Sequence, residues 1–379
     1  MTNEHFDTAI IGGGRAGLAT AYHVKQRGRT PVVLDENERV GDSWRTRWDS
    51  LRLFTPAQYD GLPGWRFPAP RWSFPTKDEM ADYMEAYVAR FELDVRTGVK
   101  IDRVSKQDGR FVIDADSDSF AADNVVVATG SHRVPRLPEF AVDLDPRILQ
   151  LHSSEYRSPA QLREGPVLIV GLGNSGAEIG FELVRTRPTC ISGKPYGEIP
   201  VPHGSRRFRV AFPLLRLFWH RVLNKSTPIG RKLGPNAGKD PLIRTKTKQL
   251  AEAGADRVGR VVGLRNGLPL LDDDRVLDVP NVVWCTGFRE DFSWIDLPIF
   301  DEDGKPRHER GVVEAEPGLY FVGLIFQYSV TSDVLPGVGR DAEHVAKHIA
   351  SRSHAHRVVP GVDVQDRSGD VLGVVRQEI

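Results

Sequence analysis

One local pattern occurs twice in the 379-residue chain, and it restricts the fold more than anything else in the sequence. Thr8-Ala9-Ile10-Ile11 is a short apolar run. Gly12-Gly13-Gly14-Arg15-Ala16-Gly17 follows, then Leu18, Ala19, Ala21, Val24 and Lys25 at helical spacing. A second apolar run, Thr30 to Leu34, ends in Asp35-Glu36. Strand, glycine turn, helix, strand and acid, in that order, make a dinucleotide-binding unit. Gly12 allows the tight turn, Gly14 lets the backbone approach a pyrophosphate at the helix N-terminus, and Gly17 lets helix and strand pack closely. Asp35, with Glu36 beside it, stands where a carboxylate binds ribose hydroxyls.

The second copy is Val167-Leu168-Ile169-Val170, then Gly171-Leu172-Gly173-Asn174-Ser175-Gly176, continued as a helix by Ala177, Ile179, Phe181, Leu183 and Val184. Its next strand, Thr189 to Ile191, leads into Ser192-Gly193-Lys194 with no acid. A carboxylate there would repel a 2′-phosphate, whereas Ser192 and Lys194 can bind one, so this unit is read as preferring NADPH. The bland reading of Lys194 is a solvated loop lysine. Two such units in one chain suggest a flavin reduced by a nicotinamide. Val125 to Gly130 and Val282 to Gly287 are further strands ending in small-residue turns, each closing a nucleotide-binding unit. Gly318 to Gly323 is another strand and turn, and Gly337 to Ala342 opens a helix running to about Ala350.

Other classes are disfavoured. Lys+Arg and Asp+Glu are both 51, so the chain lacks the basic excess of a protein held to nucleic acid by bulk charge. Two cysteines, Cys190 and Cys285, exclude a disulfide scaffold and a cysteine-built metal centre. No HExxH-type ligand set occurs; His344 and His348 read as a surface face, and no metal is expected. No GxSxG elbow supports serine hydrolysis. No apolar run reaches the ~18 residues of a membrane span, and Met1 to Asp7 lacks a basic signal-peptide start. A cytoplasmic location is the expectation. The segment 206–232 differs from the rest: arginines and lysines surround apolar residues that recur at 211, 214, 215, 218, 219 and 222. Such a helix suits a membrane surface; a lid or subunit-contact helix inserted in the second unit is the favoured reading.

Taken together, the motifs resemble those of the class B flavoprotein monooxygenases, which include the flavin-containing monooxygenases, the plant indole-pyruvate monooxygenases and, more distantly, the Baeyer–Villiger enzymes. The resemblance rests on the first glycine turn, Gly41-Asp42-Ser43-Trp44-Arg45, Trp48-Asp49-Ser50-Leu51-Arg52-Leu53, Ala128-Thr129-Gly130-Ser131, His152-Ser153-Ser154-Glu155-Tyr156, Gly171 to Gly176, Cys285-Thr286-Gly287-Phe288 and Gly318 to Gly323, in the family's order. It implies FAD on the first unit, NADPH on the second, Trp44 and Arg45 along the flavin, and His152 at the domain linker, positioning the nicotinamide. Two departures stand out. Pro146 and Ile148 replace the Phe and Gly of the family fingerprint. The family's oxygen-side Asn is replaced within Leu53-Phe54-Thr55-Pro56, leaving the Thr55 hydroxyl as a weaker substitute. The Baeyer–Villiger form of the fingerprint is absent, which disfavours ester-forming chemistry.

The expected fold is therefore α/β, with two Rossmann-like domains. An NADPH domain, about 161–280, is inserted in a discontinuous FAD domain, about 1–160 and 281–379, whose last residues from Ser353 form a surface extension. Candidate catalytic residues are Thr55 and His152. Candidate cofactor contacts are Gly12, Gly14, Gly17, Asp35, Glu36, Trp44, Arg45, Thr129, Gly130, Gly323 and Gln327 for FAD. For NADPH they are Gly171, Gly173, Asn174, Ser175, Gly176, Ser192, Lys194, Thr286 and Gly287. The implied activity is insertion of one oxygen atom from dioxygen into a small-molecule substrate, by heteroatom or carbon hydroxylation. A flavin-dependent NAD(P)H oxidase or reductase that releases hydrogen peroxide is the alternative, and a non-enzymatic dinucleotide sensor is a third class. A homodimer is left open.

Overall fold

The computed structural model describes residues 3–116, 118–234 and 240–357. Strand β1 (Asn3–Ile11) runs into the first glycine turn, α1 (Arg15–Lys25) returns, and β2 (Pro31–Leu34) lies parallel to β1. Ala9, Ile10 and Ile11 are buried, as a strand covered on both faces requires. Residues 16–21 of α1 are all buried because small residues, Ala16, Gly17 and Ala19, let the helix approach the sheet and α8 (Leu335–Arg357) closely.

The first sheet has the order β3 (Asp94–Arg96), β2, β1, β6 (Asp118–Val127), β5 (Arg110–Ala115) and β4 (Arg103–Gln107), with β16 (Leu319–Phe321) also on β6. Strand β6 is long enough to hold antiparallel β5 along its first half and parallel β16 along its second. Between β2 and β3 lie the short helix α2 (Asp42–Arg45) and the longer α3 (Lys77–Phe91), which a Thr76–Glu79 capping box starts.

The second sheet is wholly parallel: β11 (Asp256–Val258), β10 (Thr189–Ser192), β9 (Val167–Val170), β14 (Asn281–Trp284) and β8 (Leu149–His152). Helices α4 (Asn174–Leu183) and α7 (Thr247–Glu252) pack with it through Ile179, Leu183 and Leu250. This pairing moves the expected boundaries. Segments 149–152 and 281–284 were assigned to the FAD domain by the limits 160 and 281, yet β8 and β14 pair with each other and β14 with β9. Both belong to the second unit. The chain passes between the units through β7 (Val134–Pro135) and β15 (Phe288–Arg289), an antiparallel ribbon. A hairpin of β12 (Val261–Arg265) and β13 (Leu268–Leu271) follows β11. Helices α5 (Arg206–Arg221) and α6 (Pro228–Leu233) form the inserted segment. Helix α8 takes in the start of the expected C-terminal extension; its remainder, 358–379, lies outside the described residues. Among the described residues no helix is long and apolar enough to cross a membrane.

Candidate active site

The two glycine turns have the same construction. Gly12 sits at φ +108 and Gly171 at φ +106, a region open to glycine. A Cβ on Gly17 would overlap the carbonyl oxygen of Gly12, and one on Gly176 that of Gly171. These four glycines build the turns. Gly14 and Gly173 differ, since a Cβ on either would meet nothing within 4 Å. They are the N-cap residues of α1 and α4, with no side-chain cap. Each turn thus presents free helix N-terminal N–H groups to an open space, a cradle that fits a pyrophosphate.

Two adjoining cavities, of about 290 and 270 Å³, share Arg15, Ser43, Trp44, Arg47, His132 and Phe288. The first begins at Gly12 and Gly14 and takes in Asp35, Glu36, Thr129, Gly130 and Gly323. The second reaches across to Asn174, Ser175 and Glu178 of the other unit and is lined by Leu53, Phe54, Thr55, Leu335 and Pro336. Half-buried Arg15 and Arg47 stand where they meet, and neither makes an ion pair among the described residues. Burial holds both guanidinium groups below their ordinary range. Arg15 donates to the Asp333 carbonyl, but its buried Nε has no partner. Two cations, neither in an ion pair among the described residues though Asp333 opposes the charge of Arg15, fit an anionic dinucleotide such as FAD. Burial, then Arg15 and Arg47, push His132 down to about 4, so it is neutral.

Several expected residues lie in other roles. Asp35 is buried: one oxygen accepts from the Gly13 N–H and the other from Asn37 N at 2.8 Å and Nδ2 at 2.6 Å. It ties the turn to β2. Glu36 remains exposed at the cavity edge, paired with Arg133 at 3.2 Å. Trp44 lines both cavities, as expected, but Arg45 lines neither. The helical step in α2 turns Arg45 toward α3, where it pairs with Asp82 and Glu85 at 2.9 Å each. Arg47, two positions on, holds the place expected for Arg45. Gln327 is fully buried and lines neither cavity. It accepts from Gly323 N at 3.0 Å and donates to the Phe321 carbonyl at 2.9 Å, shaping the Gly323 turn.

His152 also lines neither cavity. Its Nδ1 lies 2.8 Å from the Ser154 hydroxyl and its Nε2 3.0 Å from the Gly287 carbonyl, and its ring meets Phe288 edge-on at 4.9 Å. Burial holds it below its ordinary value. It is a positioning residue at the crossing, aligning Phe288, which does line both cavities. Thr286 donates to the Arg136 carbonyl at the same crossing.

In the second unit Asn174 and Ser175 reach the cleft, and the Asn174 amide also holds Pro241 O at 3.1 Å and Ile243 N at 3.0 Å. Ser192 is not free for a phosphate. Its hydroxyl donates to Gly259 O at 2.9 Å and accepts from Val261 N at 3.0 Å, fixing the turn into β12. Lys194 is exposed just beyond β10. Arg257 of β11, which sequence reading missed, joins it by donating to Gly193 O at 2.7 Å. Only the sheet order reveals that neighbour.

Thr55 lies on the second cavity, nearly buried, and its hydroxyl donates to the Asp60 carboxyl. Asp60 is fully buried, its other oxygen has no partner, and burial pushes it up to about 8. Across the cleft, Glu178 pairs with Arg244 at 3.0 Å, while burial pushes its carboxyl up to about 7. Sequence reading named neither Asp60 nor Glu178, because each acts through a partner distant in the chain or without a motif.

The pyridine nucleotide-disulphide oxidoreductase family model matches residues 9–190, spanning both glycine turns. An uncharacterized oxidoreductase, CzcO-like, of Geobacillus kaustophilus is 37% identical over 90% of this chain and 98% of its own length. The probable indole-3-pyruvate monooxygenase YUCCA3 of Arabidopsis thaliana is 28% identical over 90% of this chain and 86% of its own. A solved flavin-containing monooxygenase of Stenotrophomonas maltophilia, 25% identical, superposes with a TM-score of 0.73 over 92% of this chain and 99% of its own. The chain belongs to the class B flavoprotein monooxygenases. As a member of that family it is an enzyme, a flavin-dependent oxidoreductase with FAD and NADPH as its cofactors. The two open glycine cradles and the cationic Arg15 and Arg47 agree with that chemistry.

Proposed function

We propose that the cleft where the two cavities meet oxygenates a small, largely apolar molecule bearing a soft nucleophilic atom. One observation carries this reading: the shared wall of Arg15, Trp44, Arg47, His132 and Phe288 opens onto a chamber that draws residues from both units, with an apolar side of Leu51, Leu53, Phe54, Leu335 and Pro336 facing the acidic Glu178, Asp240 and Asp333. Bound on the first unit, FAD supplies the redox chemistry, taking electrons from NADPH and passing them to dioxygen. Gly14 and the N-terminus of α1 hold its pyrophosphate, and Arg15 and Arg47 balance its charge. Gly173, Asn174 and Ser175 present α4 to the second dinucleotide. Lys194, with Arg257 beside it, meets the 2′-phosphate; Ser192 is not part of this contact.

Leu53, Phe54, Leu335 and Pro336 exclude water from the chamber. Thr55 adds a hydroxyl beside these residues, and Asp60 governs its direction. Protonated, the Asp60 carboxyl donates to Thr55 Oγ and frees the Thr55 O–H to point into the chamber. Ionised, it holds that O–H to itself. Both cysteines are free thiols, which supports a cytoplasmic setting.

The test uses purified, flavin-loaded protein with NADPH and an alkyl aryl sulfide under ¹⁸O-labelled dioxygen. Labelled sulfoxide, with hydrogen peroxide below the NADPH consumed, is the expected result. Peroxide equal to NADPH for sulfide, amine and ketone probes alike would make the enzyme an oxidase and overturn the reading.

A further inference from the structure

Between Glu198 and Asp240 the sequence holds nine lysines and arginines and no acid, in a chain of zero net charge. Helix α5 occupies the middle of this stretch, and it has two apolar faces. The inner face carries Phe208 and Phe212, both buried; Phe212 lies 5.5 Å from the Tyr59 ring and Phe208 6.1 Å from Phe74. His220 bonds the Thr331 hydroxyl at 2.8 Å, so the inner face anchors the helix at both ends. The outer face carries Val210, Leu214, Leu217 and Phe218, which are 71, 66, 49 and 45% exposed. Their spacing of four, three and one residues places them on one stripe. At 100° per residue, exposed Arg206, Arg207 and Arg221 fall on the same arc, at its two ends. The apolar set expected from sequence straddled the two faces; the structure separates them.

We propose that the outer face of α5 docks on an anionic lipid surface. The inner face already fixes the helix on the protein, so the outer stripe is not needed for folding. An arginine-bordered apolar stripe meets acyl chains and anionic headgroups at once. A second copy fits less well. A two-fold contact sets a patch against itself, and this one would bring Arg206, Arg207 and Arg221 near their own counterparts with no acid in the segment to offset them.

Sedimentation of the flavin-loaded full-length protein with vesicles tests the proposal without turnover, so its failure leaves the reading of the cleft intact. Vesicles of equal parts phosphatidylglycerol and phosphatidylcholine should bind it, less so as salt rises, and phosphatidylcholine alone should bind it at least about ten-fold more weakly. Leu214→Gln/Leu217→Gln should abolish binding. Arg206→Gln/Arg207→Gln should weaken it about 25-fold, from about five-fold per basic residue. Both should keep wild-type circular dichroism, flavin absorbance and vesicle-free NADPH oxidation. If the leucine variant misfolds, the arginine variant decides. No binding to either vesicle, equal binding to both, or binding that survives both variants would overturn the proposal. So would a dimer, seen by light scattering, that Leu214→Gln/Leu217→Gln dissociates in protein that ignores vesicles.

Discussion

Asp60 shows how one buried group ties stability to chemistry. Its carboxyl is pushed from 3.8 to about 8, mainly by burial. An acid with a raised folded pKa holds its proton more tightly when folded. Its contribution is therefore intact below about pH 4 and is lost as pH rises toward about 8, at about 1.4 kcal/mol per pH unit. Asn mimics the protonated acid, so Asp60→Asn should remove that slope. Urea midpoints of variant and wild type should converge near pH 4 and diverge in the variant's favour by pH 8; parallel curves would show that Asp60 is ionised in the fold. Thr55→Val should leave NADPH oxidation unchanged and raise the fraction of electrons lost as hydrogen peroxide. If NADPH oxidation itself fails, Thr55 serves the resting fold. The family resemblance singled out Thr55, which lines the second cavity, but Asp60 carries no motif. Its role comes from complete burial and one partner, which composition and spacing do not disclose.

At the scale of elements, the glycine turns were legible because glycines at a fixed spacing form them, although Gly12 and Gly171 also back onto the distant Ala128 and Cys285 carbonyls. Gly17 packs against the carbonyl of Gly12, Gly12 against that of Ala128, and Gly14 faces open space. This separates two variants. Gly17→Ala forces a Cβ onto the Gly12 carbonyl and should greatly lower the melting temperature or prevent folding. Gly14 has φ −73 and open space ahead, so Gly14→Ala should cost the apoprotein only about 1 kcal/mol as a poorer N-cap. It should nonetheless purify without flavin; a yellow Gly14→Ala protein would refute the cradle. Sheet order was not legible, since strands distant in sequence decide it, and this is why β8 fell on the wrong side of the boundary. The same reason hid Arg257, which reaches the end of β10 only because β11 is its neighbour. Removing a charged partner costs about 1.5–3 kcal/mol, so Lys194→Ala should weaken NADPH binding about 10- to 150-fold and leave NADH nearly unchanged in titrations. Ser192→Ala should lower stability and weaken both cofactors alike.

Over the whole molecule, the cleft exists only while the two units hold their spacing, and groups beside it bridge them. His203 bonds the Phe54 carbonyl at 2.9 Å, and the Asp49 N–H donates to the Arg157 carbonyl at 2.8 Å. Arg244 does more. It pairs with Glu178 of α4 in the second unit and donates to the Arg52 carbonyl of the first at 2.9 Å, beside the loop that carries Thr55. Arg244→Met removes both contacts. Glu178 then loses the cation that opposes its burial, so its carboxyl should rise further above about 7 and bind a proton at neutral pH. The loss of stability should be about 1–3 kcal/mol, because Arg244 is partly exposed and water screens the pair. The double variant Arg244→Met/Glu178→Gln removes the carboxyl that must take up a proton on folding and should recover most of that stability in urea unfolding. It cannot restore the bond to Arg52. The ratio of hydrogen peroxide released to NADPH consumed should therefore stay raised in both variants. If the double variant restores that ratio along with stability, the unpaired Glu178 had disturbed the Thr55 wall, and the bond to Arg52 contributes nothing to it.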